Sequence, residues 1–515
     1  MTFLKVAGKA DAALTVLYLL LCAALSTFRM FLAYLISLLI SLTVGVWMAR
    51  SRGVERVLLP VLDVLQSVPI LGFFPAALAF FVATLPPGLG QEAAAVFLIV
   101  TSQVWNMIFG VYTSVKSLEP GLFEMAKVYG LGRAATFFYI YVPAAKNSLI
   151  ANSLVSWAGG WFFLTSSEVI SMGEEEHRLL GLGTFIMEAF ERGDTLSFQA
   201  GVATLIAVIL ATYLLLWNPA CAGILGYQLP GVPAAYAVVR SAVSKLWTAL
   251  SSAIMSLRVG VSLPRYAGLA VAAVLLALLL RAVAGASASS APAHGVPSDV
   301  FDVVLGFPVS LARVAAIVSL GVAISLLAAY AVYASAWTGQ LVILAGEVLA
   351  SIPAVIWWPL LAGIAVGSPL GPHIVSTIVF LQGSAWYLFF NLLIYGISSI
   401  RKELDEMAKV YRIRGWWFMR MIFAPMLMPS LAAGALSAWG GAWNSTVAAE
   451  YVELGDRVID LGGAGAALSR AAYAGDYAGV ALSALILSLV IVAVNKTFWR
   501  RVFEWVESRY GGGVE

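Results

Sequence analysis

The hexapeptide Glu124-Met125-Ala126-Lys127-Val128-Tyr129 recurs unchanged as Glu406-Met407-Ala408-Lys409-Val410-Tyr411, an offset of 282 residues (406 − 124). Other residues able to do chemistry keep the same offset. Trp157 and Trp161 match Trp439 and Trp443, and Glu168 matches Glu450. Gly181, Gly183, Gly193 and Asp194 match Gly463, Gly465, Gly475 and Asp476. Such a register is an internal duplication. The chemistry open to these residues is limited. His177, His294 and His373, with Cys22 and Cys221, are too few and too scattered for a metal cluster or a disulfide framework. No cluster of acid, His or Cys gathers at one depth, and no Gly-x-x-x-x-Gly-Lys-Ser/Thr phosphate loop occurs. The chain reads as neither an enzyme nor an ATP binder, and it needs no cofactor. A charged segment displayed twice suits docking and the transmission of force.

The elements that must hold this segment are membrane helices. Hydrophobic residues are 61% of the chain, charged residues only 11%, and the mean hydropathy is +0.92. A soluble domain carries about 25% charged residues. About 20 apolar residues cross a bilayer, which predicts helices near 12–27, 30–49, 58–84, 92–115, 147–168 and 198–217 in the first half. The second half offers 266–283, 311–334, 342–366, 372–397, 427–449 and 477–496. Only Ser26–Arg29 separates the first two apolar runs, so the N-terminal run reads as an uncleaved helix and not a signal peptide.

Orientation follows the positive-inside bias. Lys5, Lys9, Arg50, Arg52, Arg56, Lys116, Lys127, Arg133, Lys146, Arg401, Lys402, Lys409, Arg412, Arg414, Arg420, Lys496 and Arg500 fall on one side. Glu168, Glu174, Glu450, Glu453 and Asp456 fall on the other. The expected fold is an all-α polytopic plasma-membrane protein of about twelve helices with both termini cytoplasmic. Six crossings per half make the repeats parallel, related by a pseudo-two-fold axis along the membrane normal. The expected domains are a first repeat over 1–217, a cytoplasmic linker with an interfacial amphipathic helix over 218–264, and a second repeat over 265–515. Ala284–Ser298 is an outer loop.

Around the first hexapeptide, Pro120 suits the first turn of a short helix and Gly130 the φ > 0 residue after its end. A second short helix follows, and Pro143 precedes a membrane helix. The spacing Glu124-Met125-Ala126, Gly130, Ile140, Val142-Pro143 resembles the cytoplasmic loop of ABC importer permeases. That loop runs Glu-Ala-Ala, three residues, Gly, nine residues, Ile, one residue, Leu-Pro. Glu406-Met407-Ala408, Ile422 and Ala424-Pro425 repeat it, with Arg412 in place of the glycine. Because a bulky residue does not readily take φ > 0, the second turn should differ or hand its kink to Gly415, and the two loops should dock differently. The chain is most similar to the nitrate/taurine (anion and sulfonate) branch. Gln66-Ser67-Val68-Pro69-Ile70, Ser351-Ile352-Pro353, the paired tryptophans and Gly181-Leu182-Gly183 carry this likeness, as two permeases fused in tandem.

The resemblance implies the type I ABC importer transmembrane fold and the transport of a small solute, an anion such as nitrate, a sulfonate or a related oxyanion. It implies two separate cytoplasmic ABC ATPase subunits and an extracytoplasmic solute-binding protein as partners, beside membrane lipid, and no nucleic acid. Glu124, Ala126, Gly130, Glu406, Ala408 and Arg412 would couple to the ATPases. Ser156, Trp157, Trp161, Trp439, Trp443 and Asn444 lie on the two fifth helices, either packing them closely or forming an axial gate with the indoles. Glu168 and Glu450 stand at the outer rim, as docking or structural groups. Asp63 and Glu347, each six residues before Pro69 and Pro353, either bind backbone or reach the coupling loop. No Lys or Arg occurs in 57–115, 147–177, 336–400 or 421–456, so a crossing anion would meet neutral donors. The rival reading is an ion-coupled secondary transporter with two parallel six-helix halves, which would need protonatable groups at the midplane.

Overall fold

The computed structural model describes residues 12–66, 70–86, 88–172, 175–217, 220, 298–397, 400, 402–454, 457–474 and 477–510. The expected linker over 218–264 (residue 220 apart), the helix at 266–283 and the outer loop up to residue 297 lie outside these.

In the first half, α1 (Ala12–Arg50), α2 (Arg52–Gln66), α3 (Ile70–Thr84) and α4 (Leu89–Lys116) precede the short α5 (Pro120–Val128) and α6 (Arg133–Thr136). A π turn (Phe137–Tyr141) leads into α7 (Val142–Glu168). Then come the hairpin β1–β2 (Val169–Met172, Glu175–Arg178), α8 (Leu182–Glu191), and α9 (Thr195–Thr212), which is capped by Asp194 and ends in a π turn (Tyr213–Trp217). The second half repeats this as α10 (Ser298–Ala334), α11 (Ala336–Ser351), α12 (Ala354–Leu360), α13 (Ala362–Gly367), α14 (Gly371–Asn391), α15 (Lys402–Val410) and α16 (Gly415–Phe418). A π turn (Met419–Phe423) leads to α17 (Ala424–Glu450). Hairpin β3–β4 (Tyr451–Leu454, Arg457–Asp460), α18 (Ala464–Tyr473), α19 (Tyr477–Val494), a further π turn (Asn495–Trp499) and α20 (Arg500–Tyr510) complete it.

Seven helices among the described residues are long and apolar enough to cross a membrane. The separate helices expected at 12–27 and 30–49 are one continuous helix, α1. The polar step at Ser26–Arg29 does not break it, because each group finds a partner without leaving helical geometry. Thr27 Oγ1 donates to the Ala23 carbonyl at 2.7 Å, and Ser26 and Arg29 bond to groups on other elements. The helix expected over 58–84 is split into α2 and α3. The one expected over 342–366 is α11, α12 and α13, broken where Pro353 takes an extended conformation and again at Leu361.

Register explains more than the hexapeptide suggested. Before α4 the repeat runs at 284, as Pro69 and Pro353 show (353 − 69). Across α4 and α14 it runs at 281 (385 − 104): the Val104 and Ala385 carbonyls accept from Ser41 and Ser325, and the Ser102 and Gly383 carbonyls face Gly159 and Gly441. A π turn after α14 (Leu392–Gly396), where α4 stays α-helical, restores 282. The first half therefore holds three additional residues in the stretch from α3 to α4, and the second half one in that π turn.

The halves interlock. Ile70, Phe74, Ala77 and Leu78 of α3 belong to the apolar core built on α17 and α19. Ile343, Ala350, Ile352 and Ile356 of α11 and α12 belong to the core built on α1, α4, α7 and α9. Each half lends its broken segment to the other, so neither core is complete alone. Strand β1 also touches α18, and α12 touches α8. Both hairpins therefore lie at one end of the molecule, as parallel repeats require.

Candidate functional site

At the end opposite the hairpins, α5 and α15 close with the same turn. The Leu131 N–H donates to the Ala126 carbonyl at 2.8 Å across Gly130, whose φ is +65°. The Ile413 N–H donates to the Ala408 carbonyl at 2.8 Å across Arg412, whose φ is +55°. This is the six-to-one bond of a helix ending in a left-handed residue. The expectation that Arg412 would change the turn is corrected: the arginine takes the glycine's conformation, although Gly415 is also left-handed (φ +58°). Ala126 (5% exposed) and Ala408 (2%) face inward, whereas Val128 (84%) and Val410 (77%) stand in the open with Tyr129 and Tyr411. Glu124 and Glu406 are exposed. A partner would meet the valine–tyrosine face and not the alanines.

The segment from each short helix to the π turn is fixed to the first long helix of its half by different chemistry. The Arg50 guanidinium sits 3.8 Å from the Phe123 ring centroid, a cation–π contact. In the second half Tyr333 stacks on Phe418 with centroids 5.7 Å apart, and Tyr330 meets Phe423 edge-on. Phe123 thus ties α5 to α1, and Phe418 and Phe423 tie α16 and the π turn after it to α10.

Between the halves lies a cavity of about 20 Å³, room for one water. Gly159 of α7 and its repeat mate Gly441 of α17 both line it, with Gln382 and Tyr387 of α14 and Asn444 of α17. The Asn444 Oδ1 accepts the Ile70 N–H at 2.8 Å and so caps α3 of the other half. The tryptophans point elsewhere. Trp157 packs edge-on to Phe31 and Tyr34 and against Trp217; Trp439 packs on Phe498 and Trp499; Trp443 stacks on Phe307. Trp161 is buried beside Trp157. The axial indole gate is therefore corrected: each indole binds its helix to its own half, and the glycine face of the same helix meets the axis. Ser156 likewise turns away, donating to the Gln103 carbonyl at 2.8 Å.

The rim acids are buried. Glu168 accepts from Ser26 Oγ at 2.6 Å, an Arg29 guanidinium N–H at 2.9 Å and the Gly183 N–H at 2.7 Å. Glu450 accepts from Ser310 Oγ at 2.8 Å, Arg313 at 2.9 Å and the Gly465 N–H at 2.9 Å. Both glutamates are fully buried, so they join α1 to α8 and α10 to α18 and offer no docking surface. A Cβ on Gly181 or Gly463 would fall 2.2 or 2.4 Å from the respective carboxyl group, which explains the glycines. The sequence reading missed Ser26, Arg29, Ser310 and Arg313, because they repeat at 284 (313 − 29) and not 282. The shared Ser-x-x-Arg spacing was the available signal. It also missed Tyr387 and Gln382, whose repeat mates Asn106 and Thr101 do not line the cavity. The side chains of Asp63 and Glu347 and all of Pro69 lie outside the described residues; Pro353 starts α12.

The sequence profile of the binding-protein-dependent transport system inner membrane component matches residues 41–217 and 321–504. The nitrate import permease protein NrtB of Leptolyngbya laminosa is 25% identical over 33% of the chain and 56% of its own length. The glycine betaine/carnitine transport permease protein GbuB of Listeria monocytogenes is 28% identical over 34% and 58%. The taurine transport system permease protein TauC of Escherichia coli is 26% identical over 36% and 62%. The chain thus spans a little over half the length of these curated relatives. No solved structure matches it.

Proposed function

Since the chain belongs to the family of binding-protein-dependent transport system inner membrane components, we propose that it supplies two fused permease units of an ATP-driven importer for a small oxyanion-bearing solute. One observation carries this reading. Two short helices that share one exposed sequence, closed by the same turn, each lead through a π turn into a helix that lines the cavity between the halves. Separate ATPase subunits would dock on Met125, Val128 and Tyr129 and on Met407, Val410 and Tyr411. Closure of the ATPase pair would move both short helices together and, through α7 and α17, open the cavity outward. Hydrolysis would reset it, as alternating access by rigid-body motion. A solute-binding protein would deliver cargo at the hairpin end.

The solute class rests on what the relatives' names share. Nitrate, the sulfonate of taurine and the carboxylate of glycine betaine or carnitine each present oxygens sharing one negative charge. Reconstitution into liposomes with the ATPase subunits and the binding protein is the test. Uptake of nitrate, taurine or another small oxyanion that requires ATP and the binding protein is expected. Uptake driven by an ion gradient without ATP would sink the reading in favour of a secondary transporter.

A further inference from the structure

Every polar side chain lining the cavity between the halves comes from the second half. Gln382 is fully engaged. Its amide N–H groups donate to the Leu349 and Ile352 carbonyls, the latter at 2.9 Å, and its carbonyl accepts the Trp386 indole N–H at 3.1 Å. It is a positioning residue that ties α14 to the broken segment beside it. The Asn444 amide is oriented by the Ile70 N–H, which its oxygen accepts, so its NH₂ is left to donate. The Tyr387 hydroxyl crosses towards the first half, where a Cβ on Gly159 would lie 3.3 Å from it. Among the described residues neither the Tyr387 hydroxyl nor the Asn444 NH₂ has a hydrogen-bond partner. At the repeat positions of Tyr387, Gln382 and Asn444 the first half carries Asn106, Thr101 and Phe162, and neither Asn106 nor Thr101 lines the cavity. Gly159 and Gly441 are repeat mates that both do.

We propose that this cavity is a solute-contacting site built from one half, in which Tyr387 Oη and Asn444 Nδ2 donate to an oxyanion group while Val155, Ala158 and Gly159 of α7 form a smooth wall opposite. It rests on the importer reading above and adds selection within the membrane to selection by the binding protein. Neutral donors suit a passage site. They replace part of the anion's hydration without the tight pairing that a lysine or arginine would impose, so release stays possible. The N-terminus of α3, whose first N–H is held by Asn444, brings a positive helix end to the same place. In the present closed form the space admits only a water, so the solute enters when the halves part.

The test uses the whole complex in liposomes with nitrate and taurine as probes. Tyr387→Phe removes one donor and nothing else. Asn444→Asp keeps the acceptor for Ile70 and replaces the NH₂ donor. Each should raise the KM for uptake about 10-fold or more, the size expected for a lost hydrogen bond to a charged group. Complex assembly, binding-protein affinity and ATPase turnover should stay unchanged. Asn106→Ala, at the mirror position of Tyr387 and outside the cavity, should leave the KM unaltered. Unchanged KM in both second-half variants, with uptake still ATP-dependent, overturns the site and leaves the importer reading intact. A wild-type complex that imports only cations or neutral solutes overturns both, and Asn444→Asp would then not impair it.

Discussion

The two rim clamps hold the same acid with the same three donors, yet the far edge of each arginine meets a different group. Each arginine also donates to a matched carbonyl, Leu180 at 2.8 Å and Gly462 at 2.6 Å, but Arg29 then forks onto Glu92 with both contacts at 2.6 Å, whereas Arg313 donates to the Leu461 carbonyl at 2.7 Å. The Arg29 side chain is 3% exposed and that of Arg313 23%. The duplication has kept what is buried and fixed, the carboxylate with its serine and glycine, and has let the outer partner drift. The same division holds at the other end, where one turn is made with glycine and one with arginine, and in the cavity, where one half supplies donors and the other a wall.

The largest expected effect breaks the clamps. Arg29→Ala strands the buried Glu168 carboxylate, and removing one partner of a buried pair costs about 3–5 kcal/mol. Arg313→Ala should cost less, since water already reaches that arginine. Thermal unfolding in nanodiscs measures both; an equal or reversed order would show that Glu92 adds nothing. Next come Ala126→Trp and Ala408→Trp. Because both alanines are buried, overpacking should destabilise the permease itself by about 1–3 kcal/mol. Val128→Glu and Val410→Glu should instead leave unfolding within about 0.5 kcal/mol and weaken ATPase association in a pull-down. If the valine variants bind normally, the docking face is misassigned.

Smaller still is the turn. A left-handed non-glycine residue costs about 1–2 kcal/mol, so Arg412→Gly should raise the unfolding temperature and Gly130→Arg lower it, both read by calorimetry. The smallest effect is electrostatic. Lys116 and Tyr112 donate to Glu55 at 2.5 and 2.7 Å, and these bonds hold its carboxyl below the usual range. Their contribution is present above the unfolded-state value and is lost as pH falls through the lower folded one. Glu55→Gln should flatten the acid limb of the stability profile slightly, and an unchanged limb would show the tie of α2 to α4 to be idle.

Much of this was legible in the residues. The hexapeptide, Pro120 and Gly130 marked a capped helix, because the φ > 0 requirement is written in residue type. The count of 282 found Glu168 and Glu450 but not their arginines, since three residues between α3 and α4, less one in the π turn at Leu392–Gly396, shift everything before them. Ser26 and Arg29 looked like a loop because polarity in an apolar run suggests a break; only the tertiary partner, Glu168, shows otherwise. The tryptophans were misjudged for a related reason. Spacing places Trp157 and Trp161 on one face of α7, but nothing in the sequence says which neighbour that face meets. The cavity lining could not be found by matching repeats, because Tyr387, Gln382 and Asn444 are where the repeats differ.

The π turns at Phe137–Tyr141 and Met419–Phe423 also bear on how such a chain tolerates changes of length. A π turn is an α-helix carrying one inserted residue. Deleting Tyr139 should therefore close the turn to an ordinary one and leave the faces of α6 and α7 where they were. Deleting Ser156 should rotate everything beyond it by about 100°, carrying Trp157 out of its pocket and Gly159 off the axis. Comparing the folded yield of the two deletions would show it directly. Between each short exposed helix and the long helix that follows it, the protein carries a residue that its hydrogen-bond ladder can lose, a place on that path where an insertion or deletion need not be lethal.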